Sequence, residues 1–556
     1  MPVVNIKKSR LKSLMPNTPL KDILKIIPYI GLDIEGMDKN HVRIEYNPNR
    51  PDFSSDIGIC RSLKGLLTIE EGTPTIKYSS NKEFVVNVDN SVKSVRPLIF
   101  TFIAKNKKLN DIMLEQLISI QEDIHNGIGR GRKKASIGIH DLDKIIFPII
   151  YTTTSESSSF IPLHQLNSQT ISQLLKSDIG LKYANLLNNK KKFPILLDSN
   201  DNIISFPPII NSNKTKITKE TSNLFIEITA NNYDVALQIL AILSFYFYDE
   251  GFEIFSNIIQ EKKKKLSPLN LLTCTDLPFT KENISDLLGI SLNIKEIINC
   301  LRKSRLSVKR TKEGLKCVIP PYRTDISNVY DIAEETAIGY GVFNITPTLP
   351  NTKLLPGKVN ASFKIFDDVR YTLIGLGFIE VLNFSLIDIK LVNQFTNSKN
   401  FLSVLETKSK DHEILKNSLI PSLITNLSHN IHEEYPQKIF EIGKVFHLNN
   451  KKEIIESWNL SSIIISNNTN YTEIKSILQS LLKLNFNMSI STPHNNNSLF
   501  INGRCGSVNL SDGKNIGILG ELHPSIIDSF NLKLPVTLFE INLTTLFNSL
   551  NSSFIK

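Results

Sequence analysis

Apolar and polar residues alternate with two different periods along this chain, and together they predict a mixed fold of helices and strands. In the N-terminal half, apolar residues at helical spacing predict helices at Pro19–Ile27, Ser54–Leu67 and Asp111–His125. Runs rich in β-branched and aromatic residues predict strands at His41–Tyr46, Phe84–Val88, Ile99–Ala104 and Leu224–Thr229. Another strand is predicted within Ala135–Ile145, ending at His140–Asp141. Helices and strands mixed in this way are typical of α+β layers.

The second half of the chain continues the mixture. Helical spacing predicts helices at Ile294–Leu301, Phe363–Ile374 and Leu415–Ser428, with Gly375 or Gly377 ending the second. A hairpin is predicted across Leu306–Val318, with its turn at Glu313 and Gly314. Strands of an antiparallel sheet are predicted at Ile379–Leu386, Lys438–Phe446, Gly503–Leu510, Ile516–Pro524 and Thr537–Leu543. We therefore expect an α+β fold throughout.

The chain has 556 residues, which is several domains' worth because single cores stop growing at roughly 250–300 residues. A charged run at 261–265 and a proline-marked stretch at 348–356 read as connectors between modules. The predicted modules are residues 1–81, 82–260, 266–347 and 356–556.

Composition narrows the class of protein. No apolar run reaches the ~18 residues of a membrane span, and the basic N-terminus lacks the apolar core of a signal peptide. The five cysteines, at positions 60, 274, 300, 317 and 505, have no spacing typical of zinc sites or disulfide frameworks. We expect a soluble cytoplasmic protein without a membrane partner. Its net charge of +10 allows a polyanionic partner such as tRNA, although charge alone is not specific.

The stretch from Tyr322 to Tyr340 carries the clearest candidate chemistry. Helical spacing from about Val329 places Asp331, Glu334 and Glu335 at i, i+3 and i+4, on one helix face. Asp325 precedes them, beside Arg323. Four carboxylates from a helix and its lead-in suit a hard cation such as Mg²⁺, which takes oxygen ligands. Alternatively, acids in a first helical turn complement the helix dipole.

This stretch closely resembles the B5 domain of the phenylalanyl-tRNA synthetase beta subunit of the archaeal and eukaryotic type. The resemblance implies that Asp325, Asp331, Glu334 and Glu335 bind Mg²⁺. The last position is often Asp in the family, so its direct ligation is the least secure. The alternation of helices and hairpin in this module is also shared with winged-helix proteins, which leaves nucleic-acid binding open.

Three further phrases resemble the same family. NPNRPD, from Asn47 to Asp52, is similar to its first module. GIHDLDK, from Gly138 to Lys144, and SFPPIIN, from Ser205 to Asn211, are similar to the B3/B4 domain, which hydrolyses tRNA wrongly charged with tyrosine. The resemblance makes His140 and Asn211 candidates for the editing pocket. From the residues alone, His140 beside Asp141 is either an acid–base pair or, more commonly, a packed histidine.

A basic loop, GIGRGRKK, runs from Gly127 to Lys134. We expect it to be flexible and solvated; the sharper alternative is contact with an RNA phosphate.

The C-terminal third resembles the catalytic-like module of the family, a class II synthetase fold. Its stretches LKNSLIPSL and KIFEIGKVF do not carry the Arg-x-Glu signature that binds ATP in such enzymes. We therefore interpret this module as catalytically silent.

Taken over the whole chain, the resemblance implies the beta subunit of a phenylalanine–tRNA ligase. It implies an α2β2 heterotetramer in which the alpha subunit holds ATP and phenylalanine, while this chain contributes structure, docking of tRNA(Phe) and hydrolytic editing of Tyr-tRNA(Phe). Two alternatives stay open at this point: a non-enzymatic RNA-binding or scaffold paralogue, and a free-standing deacylase. About 200 C-terminal residues that a deacylase would not need argue against the second.

Overall fold

The computed structural model describes residues 2–187, 192–262, 264–312, 314–349, 357–396, 401–407, 409–449 and 451–549. It divides into two compact units, residues 1–350 and residues 351–556. No helix among the described residues is long and apolar enough to cross a membrane.

The N-terminal module is a small sheet with helices packed on it. Its elements are β1 (Val3–Lys7), α1 (Lys8–Leu14), α2 (Leu20–Ile26), β2 (Asp33–Met37), β3 (His41–Glu45) and α3 (Asp56–Leu66). The strands pair antiparallel in the order β1-β3-β2. The Ser55 side chain caps α3 by accepting a hydrogen bond from Gly58 N–H, which explains why this predicted helix starts after the serines.

The second module is a large mixed sheet. Its strands are β4 (Tyr78–Val88), β5 (Leu98–Lys105), β6 (Ala135–Asp141), β7 (Ile149–Thr154), β8 (Ser159–Phe160), β9 (Gln169–Thr170), β10 (Phe193–Leu197), β11 (Ile203–Phe206), β12 (Ile210–Asn211), β13 (Leu224–Ala230), β14 (Glu253–Glu261) and β15 (Lys264–Leu266). Their order is β12-β11-β10-β7-β4-β14-β5-β13-β6, with β15 on β14 and a separate β8-β9 pair. Strand β4 runs parallel to its neighbours β14 and β7, and the other pairs are antiparallel.

Helices complete this module. They are α4 (Asp111–Asn126), α5 (Ile171–Lys176), α6 (Asp178–Tyr183) and α7 (Tyr233–Glu250). The sequence pattern predicts no helix at α7 because α7 is apolar on nearly all sides and lacks a polar face. The strand predicted from Ala135 ends at Asp141 as expected, and the chain then turns through Leu142–Lys144. The charged connector at 261–265 is partly strand, because β15 pairs back on β14; Lys263 lies outside the described residues.

The third module packs helices on a small sheet. Its elements are β16 (Thr275–Phe279), α8 (Lys281–Leu288), α9 (Ile294–Lys303), β17 (Ser307–Thr311), β18 (Gly314–Ile319) and α10 (Val329–Tyr340). The predicted hairpin is the antiparallel pair β17-β18, with Glu313 of its turn outside the described residues. Most of the predicted linker, residues 350–356, also lies outside them.

The second unit is a mainly antiparallel sheet flanked by helices, with the short pair β19–β22 parallel. Its strands are β19 (Ile379–Glu380), β20 (Leu386–Ile387), β21 (Ile414–Leu415), β22 (Gln437–Leu448), β23 (Ile454–Ile465), β24 (Ile490–Ser491), β25 (Phe500–Leu510), β26 (Asn515–Leu522) and β27 (Val536–Asn542). Its helices are α11 (Ala361–Gly375), α12 (Ile389–Val392), α13 (Ile420–His429), α14 (Tyr471–Phe486), α15 (Pro524–Ser529) and α16 (Leu543–Ser549). The main sheet has the order β19-β22-β23-β27-β26-β25-β24, and a mixed α+β fold is confirmed.

Two predictions in this unit are wrong. The strand predicted at Ile379–Leu386 is only the two short pieces β19 and β20, because Leu382 and Phe384 between them face outward and are 90% and 77% exposed. The helix predicted from Leu415 begins at Ile420, since Ile414 and Leu415 pair with β20 instead.

Candidate functional site

A cavity of about 570 Å³ opens in the second module beside strand β13, which lies next to the edge strand β6. Its walls come from α4, β11, β12, α6 and the loop after β8. The residues that line it include Ile118, Gln121, Glu122, Arg132, Ser136, His164, Asp178, Lys182, Tyr183, Ser205, Phe206, Asn211 and Glu227. This volume is in the range of sites that enclose small molecules, roughly 300–1,000 Å³.

Glu227 brings a carboxylate into the cavity wall from β13, where it is the sole charged residue of the strand. The side chain is buried, and Ser205 Oγ lies 2.8 Å from its Oε1 and 3.2 Å from Asn211 Oδ1. In the described part of the chain, Glu227 Oε2 has no hydrogen-bond partner. A buried acceptor left unpaired costs about 1–3 kcal/mol, so a ligand that donates a hydrogen bond to it is favoured.

His140 is fully buried and does not line the cavity. Its Nδ1 lies 2.8 Å from Thr215 Oγ1, and its Nε2 lies 3.9 Å from Glu227 Oε1. Asp141 contacts Thr221 and Lys144 instead, because successive strand residues point to opposite faces. His140 and Asp141 therefore form no acid–base pair, and His140 reaches the cavity only through Glu227.

Gly138 leaves the space that these two side chains fill. A Cβ at this position would stand 2.4 Å from Glu227 Oε1 and 2.8 Å from His140 Nε2. Both distances are shorter than any ordinary contact, so a side chain here would displace Glu227. The glycine is thus part of the geometry of the cavity.

Arg132 turns the basic loop inward. It has a positive φ of 66°, and its guanidinium donates to the carbonyls of Pro208 and Ile209 and, at 2.9 Å, to Glu122. It also lies 4.3 Å from the centroid of the Tyr183 ring. The expectation of a fully solvated loop is wrong at this residue, which joins α4, the Pro207–Pro208 turn and α6 into one wall.

The acidic helix α10 is held by hydrogen bonds at its start. Asp331 Oδ2 accepts from the backbone N–H groups of Ser327 and Asn328, at 2.7 and 2.9 Å, while the Asn328 side chain caps the helix in return. The predicted start at about Val329 is confirmed.

Arg323 occupies the centre of the remaining acids. Its Nε and Nη2 donate to the two oxygens of Asp325 at 2.9 and 2.7 Å, and Nη2 also donates to Glu335 Oε1. Arg50 of the N-terminal module makes the same fork with Asp52, at 2.9 and 2.8 Å. Arg50 also approaches Asp325 and Glu335 to 3.9 Å each, so two arginines and three carboxylates form one buried cluster.

These acids suit Mg²⁺ in the kind of donor but are not gathered around a common point. No three His, Cys, Asp or Glu side chains of the described residues are close enough together to hold a metal ion. Asp331 Oδ1, Glu335 Oε2 and both oxygens of Glu334 accept no hydrogen bond within the part of the chain described. Burial raises the pKa of Glu334, and the neighbouring carboxylates Glu335, Asp325 and Asp331 raise it further. This local excess of negative charge favours a cation.

In the second unit, the strand β22 carries a buried ion pair. Lys416 Nζ lies 2.6 Å from Glu441 Oε1, and both side chains are almost inaccessible. Asn383 donates to the other oxygen of Glu441, so the group is satisfied internally. This strand contains KIFEIGKVF, where the sequence lacks the arginine signature.

Sequence reasoning missed several of the cavity residues. The sequence could have indicated Glu227, since it is the single charged residue in the apolar run LFIEITA. Ser205 and Arg132 had none beyond the phrases that contain them, because nothing local indicates that their side chains point inward. Of the predicted residues, Asn211 lines the cavity and His140 lies behind Glu227.

Three domain families match the chain. Residues 81–239 match the B3/4 domain, residues 277–342 match the tRNA synthetase B5 domain, and residues 345–543 match the phenylalanyl tRNA synthetase beta chain CLM domain.

Relatives that match over the whole chain are named as beta subunits of phenylalanine–tRNA ligase. The chain is 37% identical to the phenylalanine–tRNA ligase beta subunit of Archaeoglobus fulgidus, over 99% of both chains. It is 36% identical to that of Methanococcus aeolicus, over 98% of this chain and 100% of the other. A crystal structure of an N-terminal fragment of the phenylalanyl-tRNA synthetase beta subunit from Pyrococcus horikoshii is similar, with a TM-score of 0.58 and 29% identity, covering 61% of this chain and 99% of the fragment.

Proposed function

The chain belongs to the family of phenylalanine–tRNA ligase beta subunits, and on that basis we propose that its second module hydrolyses tRNA(Phe) wrongly charged with tyrosine. It is a subunit of an aminoacyl-tRNA synthetase. Matches over nearly the full length of the relatives favour this enzyme subunit over an RNA-binding scaffold or a free-standing deacylase. The observation that carries the editing proposal is the buried, unpaired Oε2 of Glu227 in the cavity wall.

Tyrosine differs from phenylalanine by one hydroxyl, and Glu227 would recognise that hydroxyl. A pocket built for phenylalanine rejects an added hydroxyl only about 10²-fold, so charging errors need a second site. A site built to hydrogen-bond a hydroxyl rejects the analogue without it by roughly 10⁴–10⁵, because the site's polar group is then left unpaired. The phenol donates to Glu227 Oε2, while Ser205 keeps Oε1 occupied.

Hydrolysis proceeds by direct attack of water. A water molecule adds to the ester carbonyl, the bond to the ribose oxygen breaks, and tyrosine and tRNA leave separately. The cavity serines are engaged elsewhere: Ser205 with Glu227, and Ser136 with Thr229 and Arg96. The cavity therefore acts by positioning the ester and the water. Asn211 is the candidate to orient the water, and His140 is a positioning residue that acts through Glu227.

The test compares hydrolysis of Tyr-tRNA(Phe) and Phe-tRNA(Phe) by the assembled ligase. Glu227→Gln keeps the shape but removes the charge, so we expect the preference for Tyr-tRNA to fall about tenfold. His140→Ala should lower the rate less, since it only loosens Glu227. The exposed Glu220→Gln is the matched control and should change nothing. Equal hydrolysis of both tRNAs by the wild type would contradict the proposal.

A second part of the proposal concerns metal. We propose that Asp325, Asp331, Glu334 and Glu335 would hold Mg²⁺ after their side chains turn toward a common point, since no three of them are close enough in this structure. The ion would supply positive charge to a cluster that carries an excess of carboxylates. Its role there is to fix the start of α10 against the N-terminal module, and it takes no part in hydrolysis.

We propose that the chain also takes part in the remaining functions that the family implies. Charging uses ATP and phenylalanine at the alpha subunit, with which this chain forms an α2β2 heterotetramer in the cytoplasm, and the chain docks tRNA(Phe). Support for a docked partner comes from the apolar side chains that the second unit exposes, including Tyr371, Leu382 and Phe384, at 70–90%. The net charge of +10 supports contact with tRNA.

A further inference from the structure

Cationic and proton-donating side chains gather at the mouth of the cavity. Lys182 on α6 and His164 in the loop after β8 both line the cavity and are exposed to solvent. Lys216 Nζ lies 3.4 Å from His164 Nδ1, which brings a second ammonium group to the same place. The positive φ of His164, 65°, is uncommon for a residue other than glycine.

Asp178 also lines the cavity, one helical turn before Lys182, but among the described residues no carboxylate forms an ion pair with Lys182, Lys216 or His164. Glu122, one of the acids lining the cavity, is engaged by Arg132 at 2.9 Å. Among the described residues, no carboxylate lies within ion-pair distance of Lys182, whose ammonium instead stands 5.2 Å from the centroid of the Tyr183 ring. The open end of the cavity therefore attracts an anion, while its inner wall offers the acceptor Glu227.

We propose that Lys182 and His164 bind the phosphate of the 3′-terminal nucleotide of the aminoacyl-tRNA. This inference rests on the proposed editing function and assigns the outer half of the same site. With the tyrosine ring at Glu227, the ester and ribose continue outward, and the 5′-phosphate of that nucleotide is the first anion beyond them. Lysine and imidazole N–H groups are suitable donors to a phosphate, and Lys216 adds positive charge beside His164.

Two small esters that differ by one phosphate provide the test. The assembled ligase is assayed with 3′-O-tyrosyl-adenosine and with the same compound carrying a 5′-phosphate. We expect the wild type to hydrolyse the phosphorylated ester with a KM on the order of tenfold lower. Lys182→Ala and His164→Ala should reduce that advantage while leaving kcat and the unphosphorylated ester unchanged. Added salt should also reduce it, because the contact is exposed.

The controls separate this inference from the proposed function. Lys182→Arg keeps the charge and should preserve the advantage, and Lys108→Ala removes an exposed lysine that is paired with Glu220 outside the cavity. Equal KM values for the two esters in the wild type, or equal loss on both esters in Lys182→Ala, would overturn the phosphate contact and leave editing intact. Failure of the wild type to hydrolyse either ester or Tyr-tRNA would overturn the editing function itself.

Discussion

Arg50 Nε lies 3.9 Å from Asp325 Oδ1, although one residue belongs to the N-terminal module and the other to the lead-in of α10. Each arginine of the cluster already makes a two-pronged contact with the aspartate two residues after it. These carboxylates keep both arginines protonated. The pKa of Arg323 is well above its usual range, because the attraction of Glu335 and Asp325 outweighs the effect of burial.

Replacing Arg323 by methionine should destabilise the chain strongly. Asp325 and Glu335 would remain buried without their main cation, and removing one partner of a buried ion pair costs about 3–5 kcal/mol. Urea denaturation, monitored by far-UV circular dichroism, measures the loss in free energy of unfolding. Lys309→Met is the matched control, since its pair with Asp276 is exposed and is worth about 1 kcal/mol or less. Similar losses in both variants would contradict a special role for Arg323.

Magnesium should stabilise the wild type through Glu334. Bound Mg²⁺ would offset the repulsion among the carboxylates, so the melting temperature should rise with Mg²⁺ and fall on chelation. Glu334→Gln should be as stable as the wild type without Mg²⁺, since it removes a repelling charge, but should gain less from Mg²⁺. Glu282→Gln, in the first turn of α8, should respond like the wild type. If Mg²⁺ did not change the melting temperature of the wild type, the proposed magnesium site would be ruled out.

Gly138→Ala should impair editing more than folding. The new methyl group would push Glu227 away from Ser205, and a displacement of about 1 Å in a reacting site costs roughly 10²-fold in rate. Hydrolysis of Tyr-tRNA should therefore drop by about that factor, while charging with phenylalanine continues. Gly36→Ala is the control, because a Cβ there would meet nothing within 4 Å. Normal editing by Gly138→Ala would show that Glu227 need not hold its position.

Asp123 should make stability depend on pH. Burial and, to a smaller extent, the nearby Glu122 raise the pKa of its carboxyl to about 6, against the hydrogen bond with Tyr46, which lowers the pKa. The folded state thus binds this proton more tightly than the unfolded chain, where the pKa is about 3.9. Its contribution is fully present below about pH 4 and is lost as pH rises through about 6. Asp123→Asn should flatten the stability profile between these values in denaturant titrations, whereas an unchanged slope would assign the dependence to other groups.

The local pattern of apolar and polar residues predicts helices and strands best where one face of the helix or strand is polar. Helix α10 begins where the spacing of Ile332, Ala333 and Thr336 predicts. Asp331 stabilises that start by accepting hydrogen bonds from the backbone N–H groups just before the helix. Helix α7 was not predicted, because a helix that is buried on nearly all sides lacks the alternation of apolar and polar residues that reveals a helix. The strand predicted at Ile379–Leu386 failed since exposed Leu382 and Phe384 are not held by neighbouring strands.

The candidate sites show a similar limit. The acids of α10 are close in sequence, so their shared face follows from helical spacing, yet the arginine between them comes from the turn before the helix. The cavity joins Glu227, Ser205 and Arg132 from separate strands and a loop, and only the folded sheet brings them together. Asn211 was found because a family phrase contains it, and no spacing rule leads from Asn211 to Glu227.

The contacts between the first and third modules also determine which fragments of this protein can be made. Gly72 N–H donates to the Arg302 carbonyl at 2.8 Å, and Thr73 bonds to both Ser307 and Val318. A fragment that starts at residue 266 would lose these bonds together with Arg50, and its carboxylates would outnumber the arginine left to neutralise them. The acidic helix therefore depends on a residue more than two hundred positions upstream, Arg50, and a fragment that carries the helix without that residue should be less stable.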